Sequence, residues 1–173
     1  TKRATPLCGD ETGGSLHDRL AEMAPEVLKE CLEGLADGKL RGSPQDDSLA
    51  TYAPRLDRSD GDLDWEQSAD LLERRIRAHD PWPGSFTCFR DNRGRVRRVK
   101  FFPGAKVEER GGVLVPGEVI EMSSSGLKVA CGEGALRFEE LQLEGAKRLP
   151  VGEVIRGNSS LAGQCFFSLA GIA

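Results

Sequence analysis

The sequence predicts an α+β chain in which one long amphipathic helix and a polar linker precede a small antiparallel β-barrel. Three observations carry this reading. Apolar residues recur at helical spacing from Leu16 to Leu35. The stretch from Gly38 to Leu63 is dense in Gly, Ser, Pro and Asp and shows little periodicity. From Ser85 onward, short β-type runs are each bounded by Gly or Ser clusters.

The first element is expected to start at Ser15, a good N-cap with Asp18 three residues on, where a carboxylate favours the positive end of a helix. Leu16, Leu20, Met23, Val27, Leu28, Cys31, Leu32 and Leu35 then make one face apolar. Pro25 lacks an N–H and crowds the preceding turn, so a kink or a break into two short helices is expected, with Gly38 as the stop. After the linker, Ser68 offers an N-cap for a helix carrying Leu71, Leu72, Arg75, Ile76 and Arg77. That helix must end before Pro81, because a residue preceding proline avoids helical dihedrals.

The β-type runs are SFTCFR, RVRRVKFF, GEVIEM, LKVA and ALRFEELQL, with an Asp91-Asn92-Arg93-Gly94 turn between the first two. Five or so strands within about 60 residues point to a closed or partly closed barrel, for which the OB-like Greek key is the common solution. Closure also removes exposed edges. The predicted organisation is a helical piece over residues 1–38, a linker over 39–63 and a barrel domain over 64–173.

With 38% hydrophobic and 30% charged residues, the 173-residue chain can bury one core of ordinary size. No run approaches the roughly 18 to 20 apolar residues that a spanning helix needs, and the N-terminus lacks a signal-peptide pattern. Cys8, Cys31, Cys88, Cys131 and Cys165 are scattered and form no C-x-x-C pair, and only His17 and His79 could join them. That pattern argues against a zinc site and a disulfide framework, and for reduced packing thiols in a cytosol-like compartment. Thr1 in place of methionine suggests a fragment or a processed product.

The net charge of -4 argues against a nonspecific nucleic-acid binder, yet it hides a segregation along the chain. Residues 1–80 hold 11 Lys/Arg against 18 Asp/Glu, residues 81–110 hold 8 against 3, and residues 111–173 hold 5 against 7. Arg93, Arg95 and Arg97 could align on one face of the hairpin, with Val96, Arg98 and Lys100 on the other. Both faces cannot be core, so one basic row should lie outside, where it could grip phosphates or protect a sheet edge. Arg55 and Arg58 in the linker, and Lys147 with Arg148 after the last long run, are further cations within reach of a polyanion.

No catalytic constellation emerges. His17 and His79 have no Ser, Cys or Asp pattern around them, and no dinucleotide, P-loop or zinc-protease motif occurs. Asp57, Asp60, Asp62 and Asp64 lie in a polar loop that should keep them hydrated with ordinary acidity, unfit for general acid work. In LERRIRAHDPWPGSF, Trp82 is expected to anchor helix against barrel, with stacking on a nucleotide as the other reading.

Four strings, DETGGSLHDRLAEMAP, PQDDSLATYAPRLDRSDGDLDW, LERRIRAHDPWPGSFT and GEGALRFEELQLEGAKRLP, follow one another in the order of a known family. Together they resemble the second half of the methionyl-tRNA formyltransferases, from about residue 6 to about residue 157. The resemblance implies transfer of a formyl group from 10-formyltetrahydrofolate to the methionine of initiator methionyl-tRNA. The chemistry would belong to an Asn, His and Asp in a Rossmann-like N-terminal domain, none of which maps onto this chain. The first helix would be the end of that domain, and the linker and barrel would line a basic tRNA channel, with Arg55 and Arg58 at commonly basic positions.

The resemblance further implies a monomer in the bacterial cytoplasm or an organellar matrix, with no metal. His79 stands where an aromatic is usual, Asp80 where Asn is usual, and Ala146 where a basic residue often precedes Lys147. Sugar-nucleotide and other folate-dependent formyltransferases, and the folate hydrolase domain, share the architecture and are the rivals within enzymes, although they usually carry Tyr or another residue where Trp82 stands. The rival outside enzymes is a free-standing RNA-binding barrel, against which the uncovered apolar face of the first helix speaks.

Overall fold

The computed structural model describes residues 1–157 and 161–169, so residues 158–160 and 170–173 of the expected barrel domain lie outside it. Helix α1 spans Gly13–Ala36 and α2 spans Ala69–Ala78. Strands β1 (Ser85–Arg90), β2 (Val96–Phe101), β3 (Lys106–Glu108), β4 (Val119–Ser123), β5 (Gly126–Ala130), β6 (Ala135–Phe138), β7 (Glu140–Leu143) and β8 (Arg148–Pro150) follow, and α3 (Val151–Gly157) comes after them.

The N-cap of helix α1 lies three residues before the expected one. Thr12 is the N-cap: its hydroxyl accepts the Ser15 N–H at 3.1 Å while the Ser15 hydroxyl accepts the Thr12 N–H at 2.9 Å. Two glycines of low helix propensity hide this start in the sequence. Their smallness is required, because a Cβ on Gly13 would collide with the Ala78 carbonyl, and Gly14 donates to the Asp80 carbonyl at 2.8 Å. The helix also runs through Pro25 without dividing. Proline deletes a single intrahelical bond, and the turns on either side keep theirs. At the other end Gly38, at φ +67°, lets Lys39 return a hydrogen bond to the Gly34 carbonyl at 2.9 Å. No residue of α1 is buried, and Leu20, Leu28, Leu32 and Leu35 stand exposed.

The strands form two four-stranded antiparallel sheets, ordered β1-β2-β7-β8 and β3-β6-β5-β4. The run ALRFEELQL, expected as one strand, divides at Glu139 into β6 of one sheet and β7 of the other. Phe138 and Leu141 are both buried, so the two-residue alternation slips there, which is how the chain turns from one sheet into the next. Strands β3 and β8 and helix α3 are too short to announce themselves by periodicity. Residues 164–167 join the sheets at one margin, where Cys88 and Phe167 exchange backbone bonds at 3.0 and 2.9 Å and Phe166 donates to Gly117 at 2.8 Å. Among the described residues no strand pairing links β3 to β8, so the expected barrel is here a pair of sheets around one core.

In that core Phe101 stacks on Phe138 with ring centres 4.1 Å apart, and Trp65 presents its edge to both. Trp65, at 3% exposure, is the buried indole of the chain, and it donates to Thr87 Oγ1 at 2.9 Å. Trp82 is 54% exposed, so the expected anchor between helix and barrel is Trp65 instead. Helix α2 covers the core with Ala69, Leu72 and Ile76 after its Ser68 cap. The chain joins this body before residue 64: Leu63 is fully buried and donates to the Phe86 carbonyl at 2.9 Å.

Candidate nucleic-acid interface

The β1–β2 turn is built on Asp91. Its Oδ1 accepts the N–H groups of Arg93 and Arg95 at 2.9 and 3.0 Å, its Oδ2 accepts Arg95 Nε at 2.9 Å, and Gly94 supplies the positive φ. Burial pushes the Asp91 carboxyl up, but the hydrogen bonds from Arg95 and Arg93 outweigh it and hold the group below its ordinary range. Arg93 and Arg95 thus belong to the turn, and β2 begins only at Val96.

Along β2 the pleat turns Val99 and Phe101 inward and Arg98 and Lys100 to solvent. Register extends the outer row across the sheet: Lys100 faces Phe86 on β1 and Gln142 on β7, and Gln142 faces Arg148 on β8. Neighbouring strands lie about 4.8 Å apart, so residues distant in sequence share one face. Three guanidinium groups are braced on phenyl rings there: Arg98 over Phe86 at 4.9 Å, Arg148 over Phe102 at 4.0 Å and Arg90 over Phe167 at 5.7 Å. Such contacts fix a flexible cation while leaving its N–H donors free for phosphate.

Carboxylates interleave with this surface. Arg148 pairs with Glu140 at 2.6 Å, and Arg97 reaches Glu144 with its Nε at 3.2 Å and donates to the Glu144 carbonyl at 3.0 Å. One groove of about 370 Å³ is lined by Arg93, Arg95 and Arg97 together with Asp91 and Glu144. A second, of about 260 Å³, is lined by Arg98, Lys100 and Glu144. Lys147 is exposed in the β7–β8 turn. Arg55 and Arg58 are exposed on the segment leading into the body, and no hydrogen bond or ion pair among the described residues joins them to this face. The sequence reading left Arg90 out of the phosphate-gripping set and missed the phenyl braces. Their signal was present in the i, i+2 spacing of Phe86 with Cys88 and Arg90, which places them on one face of β1.

Elsewhere Glu108 pairs with Arg137 and Lys128, and Arg137 also pairs with Glu121. His17 is exposed, whereas His79 is buried with Nδ1 unpartnered, and desolvation followed by the charge of Arg75 pushes its pKa down. Burial pushes the Cys131 thiol up to about 12. Among the described residues no group of three His, Cys, Asp or Glu is placed to hold a metal ion, and no helix is long and apolar enough to cross a membrane.

Residues 55–159 match the family described as formyl transferase, C-terminal domain, and the chain belongs to that family. Its curated relatives narrow the class. The chain is 43% identical over 160 residues to a methionyl-tRNA formyltransferase of Akkermansia muciniphila, covering 91% of this chain and 50% of that protein. It is 48% identical over 148 residues to that of Pseudomonas paraeruginosa, covering 86% and 45%. The chain therefore corresponds to the C-terminal portion of methionyl-tRNA formyltransferases and spans about half the length of these relatives. A variant of HypX from Aquifex aeolicus shares the fold, with a TM-score of 0.56 at 22% identity over 88% of this chain and 27% of that one.

The donor implied by the resemblance, 10-formyltetrahydrofolate, is not matched by the residues on this face. The aromatic of the larger groove, Phe89, is 3% exposed, and the smaller groove has no aromatic lining, so neither offers an exposed wall for a planar pterin.

Proposed function

We propose that this chain is the tRNA-holding portion of a methionyl-tRNA formyltransferase of the bacterial cytoplasm, acting on initiator methionyl-tRNA with 10-formyltetrahydrofolate bound elsewhere in the enzyme. Residues 1–38 would close the Rossmann-like catalytic domain, 39–63 would link, and 64–173 would form the OB-like tRNA-binding domain. The exposed leucines of α1 support the first assignment, since an apolar helix face of this length calls for cover. The observation that carries the reading is the outer row Arg98, Lys100 and Arg148, its two arginines braced on phenyl rings, in a chain whose relatives are named for a tRNA substrate.

Arg93, Arg95 and Arg97 in the neighbouring groove, and Lys147 in the β7–β8 turn, would add to this surface, and Arg55 and Arg58 would meet the tRNA from the linker. In this reading the groups that transfer the formyl lie in the catalytic domain, outside this chain. The test is binding of the chain to initiator tRNA at two salt concentrations. Arg98→Glu with Lys100→Glu is expected to weaken binding and to flatten the logarithmic salt dependence by about 2, roughly 1 per lost phosphate contact. Unchanged affinity in the folded variant would overturn the assignment of the face. A preference for a nucleotide sugar over tRNA, or formyl transfer by the chain alone, would overturn the wider reading.

A further inference from the structure

Glu144 occupies a position that the basic surface alone does not explain. It follows β7, where its N–H donates to the Arg98 carbonyl at 3.0 Å and its Oε2 accepts the Arg98 N–H at 3.4 Å, so the end of the β2–β7 pairing fixes its place. From there its carboxylate pairs with Arg97, the half-buried cation on the opposite side of β2 from Arg98 and Lys100. Glu144 and Leu143 are the two residues that line both grooves, and Glu144 is the charged one. It therefore stands on the ridge between them. In the larger groove it leaves three arginines facing two carboxylates, and in the smaller it offsets one of two cations.

We propose that Glu144 is a gate in the RNA-binding surface, a built-in competitor for Arg97 that a phosphate of the RNA backbone must displace. The proposal rests on the reading of this face as an RNA interface. A phosphodiester running from one groove to the other passes the Glu144 carboxylate and is repelled by it, while Arg97 is held in an internal pair. Binding thus exchanges an Arg–carboxylate pair for an Arg–phosphate pair. The pair is solvent-accessible, with side-chain exposures of 37% and 52%, so exchange requires no unfolding.

The test is Glu144→Gln in the chain, with binding to initiator tRNA measured across salt concentrations. The amide keeps an acceptor for the Arg98 N–H and removes the charge. Affinity is expected to rise about two- to fivefold, the scale of one exposed ion pair, and the salt dependence to steepen by about 1. The gain should vanish in an Arg97→Gln background, because the gate acts through that cation. Glu140→Gln removes the same charge beside Arg148 but outside both grooves, and is expected to gain less.

Glu144→Ala gives a second variant, expected to show the same gain. Unchanged or weaker binding in whichever variant folds overturns the gate, as does an equal gain from Glu140→Gln or a gain that survives loss of Arg97. If the unsubstituted chain shows no salt-sensitive tRNA binding, the interface reading itself fails and the gate falls with it. Binding by the parent chain with no gain in the variants refutes the gate alone.

Discussion

Trp65 offers the most exacting test of how the body is held together. Its indole N–H donates to Thr87 Oγ1 at 2.9 Å, and that hydroxyl donates to the Phe167 carbonyl at 3.0 Å. One relay thus ties the start of the body, strand β1 and the C-terminal segment that joins the two sheets. Trp65→Phe loses a hydrogen bond worth about 1 kcal/mol and leaves a partial cavity against Phe101 and Phe138 costing about 1–3 kcal/mol, so a total of about 2–4 kcal/mol is expected. Thr87→Val leaves the buried indole N–H without a partner, while the Phe167 carbonyl keeps the Cys88 N–H at 3.0 Å, so a loss of about 1–3 kcal/mol is expected.

The double variant no longer orphans an indole N–H. It should therefore fall short of the sum of the singles by about 1–2 kcal/mol. Urea unfolding followed by far-ultraviolet circular dichroism measures this, since Trp65→Phe removes the buried fluorophore, and equal m-values are needed for the comparison. Losses that add within about 0.5 kcal/mol would refute the relay.

Two further outcomes follow from the geometry. Gly117, at φ +87°, has the Phe166 carbonyl where a Cβ would sit, so Gly117→Ala should cost about 1–3 kcal/mol or more, whereas Gly163→Ala, at φ +72° in open space, should cost less; thermal melting of both variants separates collision from backbone strain. Glu121 is held at about 2 by hydrogen bonds from Arg137 and Ser123, and Glu108 is lowered by Arg137 and Lys128. Because these folded-state values lie below the ordinary 4.5, the stabilisation is fully present above that pH and is lost as pH falls towards about 2. Melting temperatures over that window should drop less steeply for Arg137→Met than for the parent chain, and parallel slopes would sink the assignment.

The elements with a strong period were legible in the sequence. The long helix, α2 from its Ser68 cap and four of the five β-type runs stand close to where spacing put them. What could not be read depended on partners remote in sequence. The start of α1 at Gly13 is set by the Ala78 and Asp80 carbonyls, and the division of ALRFEELQL is set by which sheet each half completes. Trp65 and Trp82 look alike as residues. The rings of Phe101, Phe138 and Phe166 and the Thr87 hydroxyl around the first decide which is buried.

The interface divides in the same way. That residues 81–110 are basic is a property of the sequence, but which of those cations can still meet a phosphate is decided by the carboxylates that topology delivers. Arg95 is taken by Asp91 within the turn, Arg97 by Glu144 from β7, Arg148 by Glu140 from its partner strand and Lys106 by Glu139. Arg98 and Lys100 carry no carboxylate partner among the described residues, and Arg98 is braced on Phe86 rather than neutralised. An ion pair must be exchanged at the first group of sites and not at the second, so charge removal at Arg98 and Lys100 should cost more affinity than the same change at Arg95 and Arg148. A chain with a net charge of -4 can therefore present a surface for RNA: the pleat brings cations from several strands onto one face, and pairing leaves Arg98 and Lys100 among those available there.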